Sequence, residues 1–165
     1  MQAPKQANPV QRFIQGVASL RPVASVFRHT FHHLDKALYR LLGQRTVSGI
    51  LAGVPNIMLT TTGAKTGRLR TVPVIGVPVD GSVAVIGTRW GSETTPGWAY
   101  NLDHDPQAWI ERDGTRTSVT ARRVAEGTEY VTILSDADRI YLGFPRYRGR
   151  ITKRQVPVFV LEPQS

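Results

Sequence analysis

Leu59-Thr-Thr-Thr-Gly-Ala-Lys-Thr-Gly-Arg-Leu-Arg-Thr-Val-Pro73 is the stretch around which this chain is organised. The apolar, β-branched approach from Ile57 to Thr62 predicts a strand leading into a turn. Gly63 and Gly67 bracket the turn, and glycine enters the positive-φ region that bulkier residues avoid. Lys65, Thr66, Arg68 and Arg70 lie inside it or just after it, with no acid nearby. Freed amides, hydroxyls and cations on adjacent strand ends make a concave anion site. Chemistry alone leaves two readings open: a phosphate-binding turn for a nucleotide-like cofactor, or a basic hairpin turn on a solvated surface. A strand follows the turn, so it is neither a P-loop nor a dinucleotide fingerprint, both of which need a helix next.

Working outward, Arg70 to Val79 reads as a second strand. Asp80-Gly81 is a hairpin signal, and Ser82 to Thr88 is a third strand. Arg89 to Asp105 reads as loop and short helix, with Pro96 at the first helical position. Gln107 to Arg112, an Asp113-Gly114 turn and Thr115 to Val124 form another hairpin. Glu126 to Leu142 reads as a helix, and Val156 to Leu161 as the last strand. Upstream, Asn8-Pro9 opens one amphipathic helix and Pro22 a second, which ends near Gly43. Five or six mostly antiparallel strands with helices before and between them predict a small barrel with peripheral helices. No strand–helix alternation supports a doubly wound sheet. One domain over 1–165 is expected, with helices in 1–43 and the barrel in 56–163.

The 165 residues are 41% hydrophobic and 20% charged, an ordinary globular balance. There is no cysteine, so disulfides and thiolate metal sites are excluded. The net charge of +9 is uneven. Residues 1–79 hold ten Lys/Arg against the single acid Asp35, whereas residues 80–165 hold eleven of each sign. The positive excess therefore surrounds the glycine-bracketed turn and favours anionic partners. Met1 to Asn8 is polar, and no apolar run approaches the roughly 20 residues that span a bilayer. A cytoplasmic protein is expected, the alternative being peripheral contact with the inner face of the membrane through the basic N-terminal helices.

Two further stretches could carry chemistry. Gly87-Thr88-Arg89-Trp90-Gly91 ends the third strand, where Thr88 and Arg89 could extend the anion site and Trp90 offers a flat face to a ring. Arg139 to Arg154 contains six cations and no acid, with Phe144 and Tyr147 among them. Such a stretch suits single-stranded nucleic acid, the mouth of a site for an acidic tail, or protection of an edge strand. His29 and His33 stand at i, i+4 but read as solvated rather than metal-bound, and no metal is expected. Asp103-His104-Asp105 reads as a helix end before Pro106 rather than a proton relay. Anion-binding turns without a nucleophile or metal cluster fit an enzyme whose cofactor carries the reactivity.

The Leu59–Pro73 block, Pro96-Gly-Trp-Ala-Tyr-Asn-Leu102 with Asp105-Pro106, and Val156-Pro-Val-Phe-Val-Leu-Glu-Pro163 resemble the deazaflavin-dependent nitroreductase family. Its members are quinone and nitro reductases that use reduced coenzyme F420. The likeness covers about residues 25–163 and implies a split β-barrel of the flavin-binding type, mainly β, with an antiparallel Greek-key-like sheet. It implies that Lys65, Thr66, Gly67 and Arg70 hold the coenzyme phosphate and acidic tail, with Val72 and Pro73 beside them. It also places Thr88, Arg89, Trp90 and Gly91 by the deazaflavin edge, and Trp98 by the ring system. Phe144, Tyr147, Phe27 and Phe31 would line the substrate pocket. Ala64 stands where several relatives have a cation. The three tyrosines of nitroreductase members, at i, i+3, i+6, read here Phe144, Tyr147 and Arg150. That leaves Tyr147 as the catalytic candidate, a proton donor or a hydrogen-bond donor to substrate, with water as the other proton source. The expected function is hydride transfer from reduced F420 to a quinone, nitro compound or activated double bond, by a monomer or homodimer that binds no nucleic acid. The alternatives are a flavin mononucleotide (FMN) barrel and a non-enzymatic binder of anionic membranes or nucleic acid.

Overall fold

The computed structural model describes Pro9 and residues 54–164. The expected N-terminal helices of 1–43, with Phe27, Phe31, His29 and His33, lie outside these residues apart from Pro9. Six strands form a closed antiparallel barrel: β1 (Asn56–Thr62), β2 (Leu69–Val79), β3 (Ser82–Ile86), β4 (Gln107–Arg112), β5 (Thr115–Arg123) and β6 (Val158–Pro163). Around the barrel the order is β1-β2-β3-β6-β5-β4, with β4 returning to pair with β1. The spatial run β4-β1-β2-β3 is a Greek key. The structure thus has the mainly β barrel that the turn and strand spacing predict.

Local sequence sets each corner. Asp80-Gly81 has φ of 33° and 83°, and Asp113-Gly114 has 50° and 81°. Both central residues are left-handed in each case, the conformation of the tight two-residue turn that matches strand twist. β2 is the long strand because it serves two neighbours. It pairs with β1 up to Asn56↔Ile75 and with β3 from Gly76↔Val85. Gly76 marks the change of partner: a Cβ there would sit 2.8 Å from Val83 Cγ1. Below this corner, Leu69 to Ile75 pairs with β1 and has no second strand beside it among the described residues.

β3 ends at Ile86, two residues sooner than the apolar pattern predicts: Gly87 still donates to the carbonyl of its register partner Pro157 at 2.8 Å, but Pro157 has no N–H to return and the ladder stops there. β6 starts at Val158 rather than Val156, since Pro157 has no N–H to give the ladder. β6 is also not an edge strand. It lies between β3 and β5, so the basic stretch before it has no edge to protect.

Three helices follow: α1 (Gly97–His104), α2 (Thr128–Ile140) and α3 (Gly143–Arg148). Pro96 caps α1 from outside instead of occupying its first position. α2 stops where Tyr141 becomes extended at φ −141°. α3 is missed by sequence reasoning because Gly143, Pro145 and Gly149 depress helix propensity. Pro145 falls in its first turn, where the absent N–H would have had no partner.

Two apolar clusters result. Ile57, Leu59, Val85, Ala108, Val119, Phe159 and Leu161 fill the barrel, and Ala99 and Leu102 of α1 plug it. Val77, Ile86, Val158 and Val160 face outward beneath Ile133 and Ala137 of α2 and Phe144 and Tyr147 of α3. β6 therefore contributes to both clusters, and its run Val158 to Leu161 is buried on both faces. Phe159 is 1% exposed at the centre, edge-on to Trp98. Phe159→Ala should lower unfolding free energy by about 3–5 kcal/mol, measured by urea denaturation. A loss below about 1 kcal/mol would mean that the barrel interior is not packed as described.

Candidate active site at one end of the barrel

Antiparallel connectivity places the sequence-predicted residues at a single end. β1 and β3 finish there, and β2, β4 and β6 begin there. The glycine-bracketed turn, the loop after β3, α1 and the segment entering β6 thus share that end.

The turn from Gly63 to Arg68 is tightly made. The Gly63 carbonyl accepts the amides of Thr66 at 3.0 Å and Gly67 at 2.7 Å, and the Gly63 N–H donates to the Arg68 carbonyl at 2.9 Å. Gly67 has φ +65°. At Gly63 the need is for close approach, since a Cβ would lie 3.0 Å from Thr66 Oγ1 and 3.1 Å from the Arg68 carbonyl. Asn101, which sequence reasoning places only in the short helix, proves central. Its Oδ1 accepts the Ala64 N–H at 3.1 Å, and its Nδ2 donates to the buried Thr61 Oγ1 at 2.9 Å. One carboxamide therefore ties α1 to both the barrel interior and the turn. Its signal in the sequence is a polar side chain one residue before the buried Leu102, on a helix that plugs a core.

With those bonds made, the Lys65 amide has no acceptor among the described residues. Lys65, Thr66, Gly67, Arg68 and Arg70 are all exposed. The ion pairs among the described residues engage Arg112, Arg122, Arg123, Arg139 and Arg148, and none involves Lys65, Arg68 or Arg70. Six acids of the second half are paired locally, and the turn's three cations have no acid partner among the described residues. Val72 is half-buried against the barrel interior and Pro73 is exposed, both in the part of β2 that pairs with β1. Trp98, half-buried, reaches into the same interior from α1.

The loop after β3 forms a second group. Arg89, Trp90 and Gly91 have φ of 44°, 60° and 79°. Two consecutive non-glycine residues in left-handed backbone cost on the order of 1–3 kcal/mol each and persist only where surroundings hold them. Thr88 is buried, and its carbonyl accepts the Gly91 N–H at 2.9 Å. Trp90 meets Tyr147 edge-on at 5.8 Å, and the Arg150 guanidinium lies 5.6 Å from the centre of the same ring. The expectation that Arg89 extends the anion site draws on the run of β3 beside β2. Their ladder ends at Gly76↔Val85, and beyond it β3 stays beside β6 as far as the Gly87–Pro157 bond, so the loop that carries Arg89 leaves alongside β6.

Tyr147 is 3% exposed, and its hydroxyl shares a 3.0 Å hydrogen bond with the Tyr141 hydroxyl. Burial pushes both phenols above their usual range. Phe144 packs edge-on to Tyr141 at 5.5 Å. α3 is held to α2 by the bidentate Arg148–Asp138 pair. Asp103 is paired with Arg123, and Asp105 Oδ1 accepts the Gln107 N–H at 3.0 Å. The carboxylates flanking His104 are thus structural. Among the described residues no group of three His, Asp, Glu or Cys side chains could hold a metal, and no helix is long and apolar enough to cross a membrane.

The family model for F420H(2)-dependent quinone reductases matches residues 32–163. The chain belongs to that family. An F420H(2)-dependent quinone reductase of Mycobacterium tuberculosis is 30% identical over 134 residues, covering 78% of this chain and 87% of that protein. The structure of an F420-H2 dependent reductase superposes with a TM-score of 0.60 at 31% identity, over 66% of this chain and 94% of the other. A structure described as a domain-swapped dimer gives 0.61 at 29% identity, over 77% and 95%. The protein is an F420H2-dependent reductase with coenzyme F420 as its cofactor. The donor set fits that group, because unpaired cations and a free amide suit a phosphate and a polycarboxylate tail.

Asn101→Ala would leave the buried Thr61 hydroxyl without its donor and the turn unanchored. It should lower stability by about 1–3 kcal/mol and weaken coenzyme binding. Thermal unfolding and fluorescence titration check the two effects, and unchanged coenzyme affinity would remove Asn101 from the site.

Proposed function

We propose that this reductase passes the hydride of reduced F420 to a quinone. The turn holds the coenzyme phosphate and acidic tail, and the acceptor lies toward Trp90 and α3. The observation that carries this reading is the three-cation turn, unmatched by any acid among the described residues, at the barrel end that also carries α1 with Trp98 and the loop in which Trp90 meets Tyr147. In the bound state the coenzyme supplies the hydride, and the protein's own residues bind and orient. Lys65, Arg68 and Arg70 fix the anionic end, with the Lys65 amide as an added donor. Val72, Pro73 and Trp98 bound the ring's side of the site, with Thr88, Arg89 and Gly91 at its edge. Holding two reactants in near-attack geometry supplies most of such an enzyme's acceleration. Nitro compounds and activated double bonds are further acceptors within reach of the same geometry.

Tyr147 stands in this reading as the residue under the acceptor. Its hydroxyl is engaged with Tyr141 and its phenol is raised by burial, which favours a role as aromatic floor, with water supplying the proton. A proton-donating role makes the opposite prediction. Tyr147→Phe should keep kcat within about 10-fold of the parent if the ring is what matters, whereas general acid catalysis would cost about 10²–10⁴-fold.

Binding is tested by titrating the protein with F420 and following the coenzyme's fluorescence. Lys65→Ala and Arg70→Ala should each weaken binding by about 1–3 kcal/mol, as charge-assisted hydrogen bonds do. Full affinity in both variants would refute the site, and FMN binding in place of F420 would refute the cofactor geometry. Reduced coenzyme offered with a panel of quinones, nitroaromatics and enones then ranks the acceptors by kcat/KM. A quinone should lead, and a nitroaromatic in first place would overturn the assignment.

A further inference from the structure

The left-handed run Arg89-Trp90-Gly91 is not explained by burial. Trp90 is 38% exposed, so packing of its indole does little to offset the strain beneath it. A polar contact from the far end of the chain ties the two sides of the run together. Arg154 Nη2 donates to the Gly87 carbonyl at 3.0 Å and the Ser92 carbonyl at 2.8 Å, and its Nε donates to Ser92 again at 3.2 Å. The Thr88 carbonyl lies 3.4 Å from the same Nη2. Left-handed residues turn these carbonyls toward a common point, and the guanidinium sits at that focus. On the other side of the loop Glu93 answers in the opposite sense. Its carboxylate accepts the Thr152 N–H at 2.8 Å, the Thr152 hydroxyl at 3.0 Å and the Lys153 N–H at 3.2 Å. Loop and segment are joined by a cation on carbonyls and an anion on amides. Gly91 completes the fit, because a Cβ there would lie 2.9 Å from Arg150 Cδ and 3.2 Å from the Tyr147 carbonyl.

We infer that Arg154 is a positioning residue: with Glu93 it staples the loop after β3 to the segment entering β6 and fixes Trp90 as a wall of the acceptor pocket. This inference rests on the placement of the acceptor beside Trp90 and α3. The guanidinium is the group required, since its planar fork reaches several carbonyls at once and an ammonium on a flexible stem does not. The charge is half-buried, and desolvation lowers its pKa. Such a cation is retained where its hydrogen bonds are complete, as they are on these carbonyls. The effect on chemistry is indirect. Arg154 touches no reactant and acts through the indole it orients.

The near-UV circular dichroism band of Trp90 is assigned by difference with Trp90→Phe, and menadione serves as acceptor. Arg154→Ala should abolish that band and raise KM by about 10-fold or more with a smaller change in kcat, the signature of lost uniform binding. Arg154→Lys, which keeps the charge and loses the fork, should move both readouts the same way. In a Trp90→Ala background Arg154→Ala should add nothing to KM, because its effect passes through the indole. A retained band with unchanged KM, or full additivity with Trp90→Ala, overturns the inference. Should Arg154→Ala fail to fold, Glu93→Gln supplies the same two readouts with Arg154 in place. If the parent protein does not bind F420, the functional reading fails, while the Trp90 band still decides whether the staple orients the indole.

Discussion

β6 is the element on which the molecule depends. Val158 to Pro163 pairs with β3 on one side and β5 on the other, which closes the barrel between segments distant in sequence. Both of its faces are buried over four consecutive residues, Phe159 and Leu161 in the barrel and Val158 and Val160 under the helices. Fully burying one such side chain stabilises by about 1.5–3 kcal/mol. A single six-residue strand thus supports two cores. Its closure is non-local, and the entropy of bringing its partners together is lost before its contacts form.

That closure also builds the site. Because β6 enters from the end where β3 leaves, residues 150–157 run against the loop of residues 87–93. The Gly87 N–H reaches the Pro157 carbonyl, and Arg154 reaches the carbonyls on either side of the left-handed run. The opposite part of the same end is set by α1, whose Asn101 joins Thr61 inside the barrel to Ala64 in the turn. The cation turn and the aromatic group of Trp90, Tyr147 and Arg150 are therefore anchored by different devices. One rests on a neutral carboxamide and the other on paired charges. In the proposed reading the first device anchors the part that binds the coenzyme and the second the part that meets the acceptor. Sharing a fold does not by itself assign chemistry. The chemistry here follows from the family and from the donor set.

The uneven charge acquires a structural meaning in the folded chain. Arg122 bridges Glu129 and Glu162, Arg123 meets Asp103, and Arg148 meets Asp138. Most of these pairs are exposed and contribute little stability individually. Their consequence is neutralisation of the second half, so that the field at the barrel end comes from the turn. Of the six cations between Arg139 and Arg154, Arg139 and Arg148 are engaged by aspartates, Arg150 by the Tyr147 ring and Arg154 by carbonyls. A diffuse nucleic-acid surface is what that stretch suggests as bare sequence, and folding removes much of it.

Local chemistry made much of the protein legible without coordinates. β-branched runs, two Asp-Gly turns and a glycine-bracketed basic turn each encode their conformation in a few neighbouring residues, so strands, hairpins and the cofactor turn could be read directly. The family resemblance added the cofactor, because the motif that carries it is contiguous in sequence. Tertiary structure alone decided the features that join distant residues. The helix at Gly143–Arg148 forms despite poor propensity because Phe144 and Tyr147 are buried on the outer core. β6 lies inside the sheet because β5 and β3 both reach it. The bond between Tyr141 and Tyr147, the hold of Asn101 on Ala64 and of Arg154 on the loop after β3 each depend on a geometry that no window of sequence contains. A side chain's own identity fixes which bonds it can make, and only the closed barrel sets which partners stand within reach.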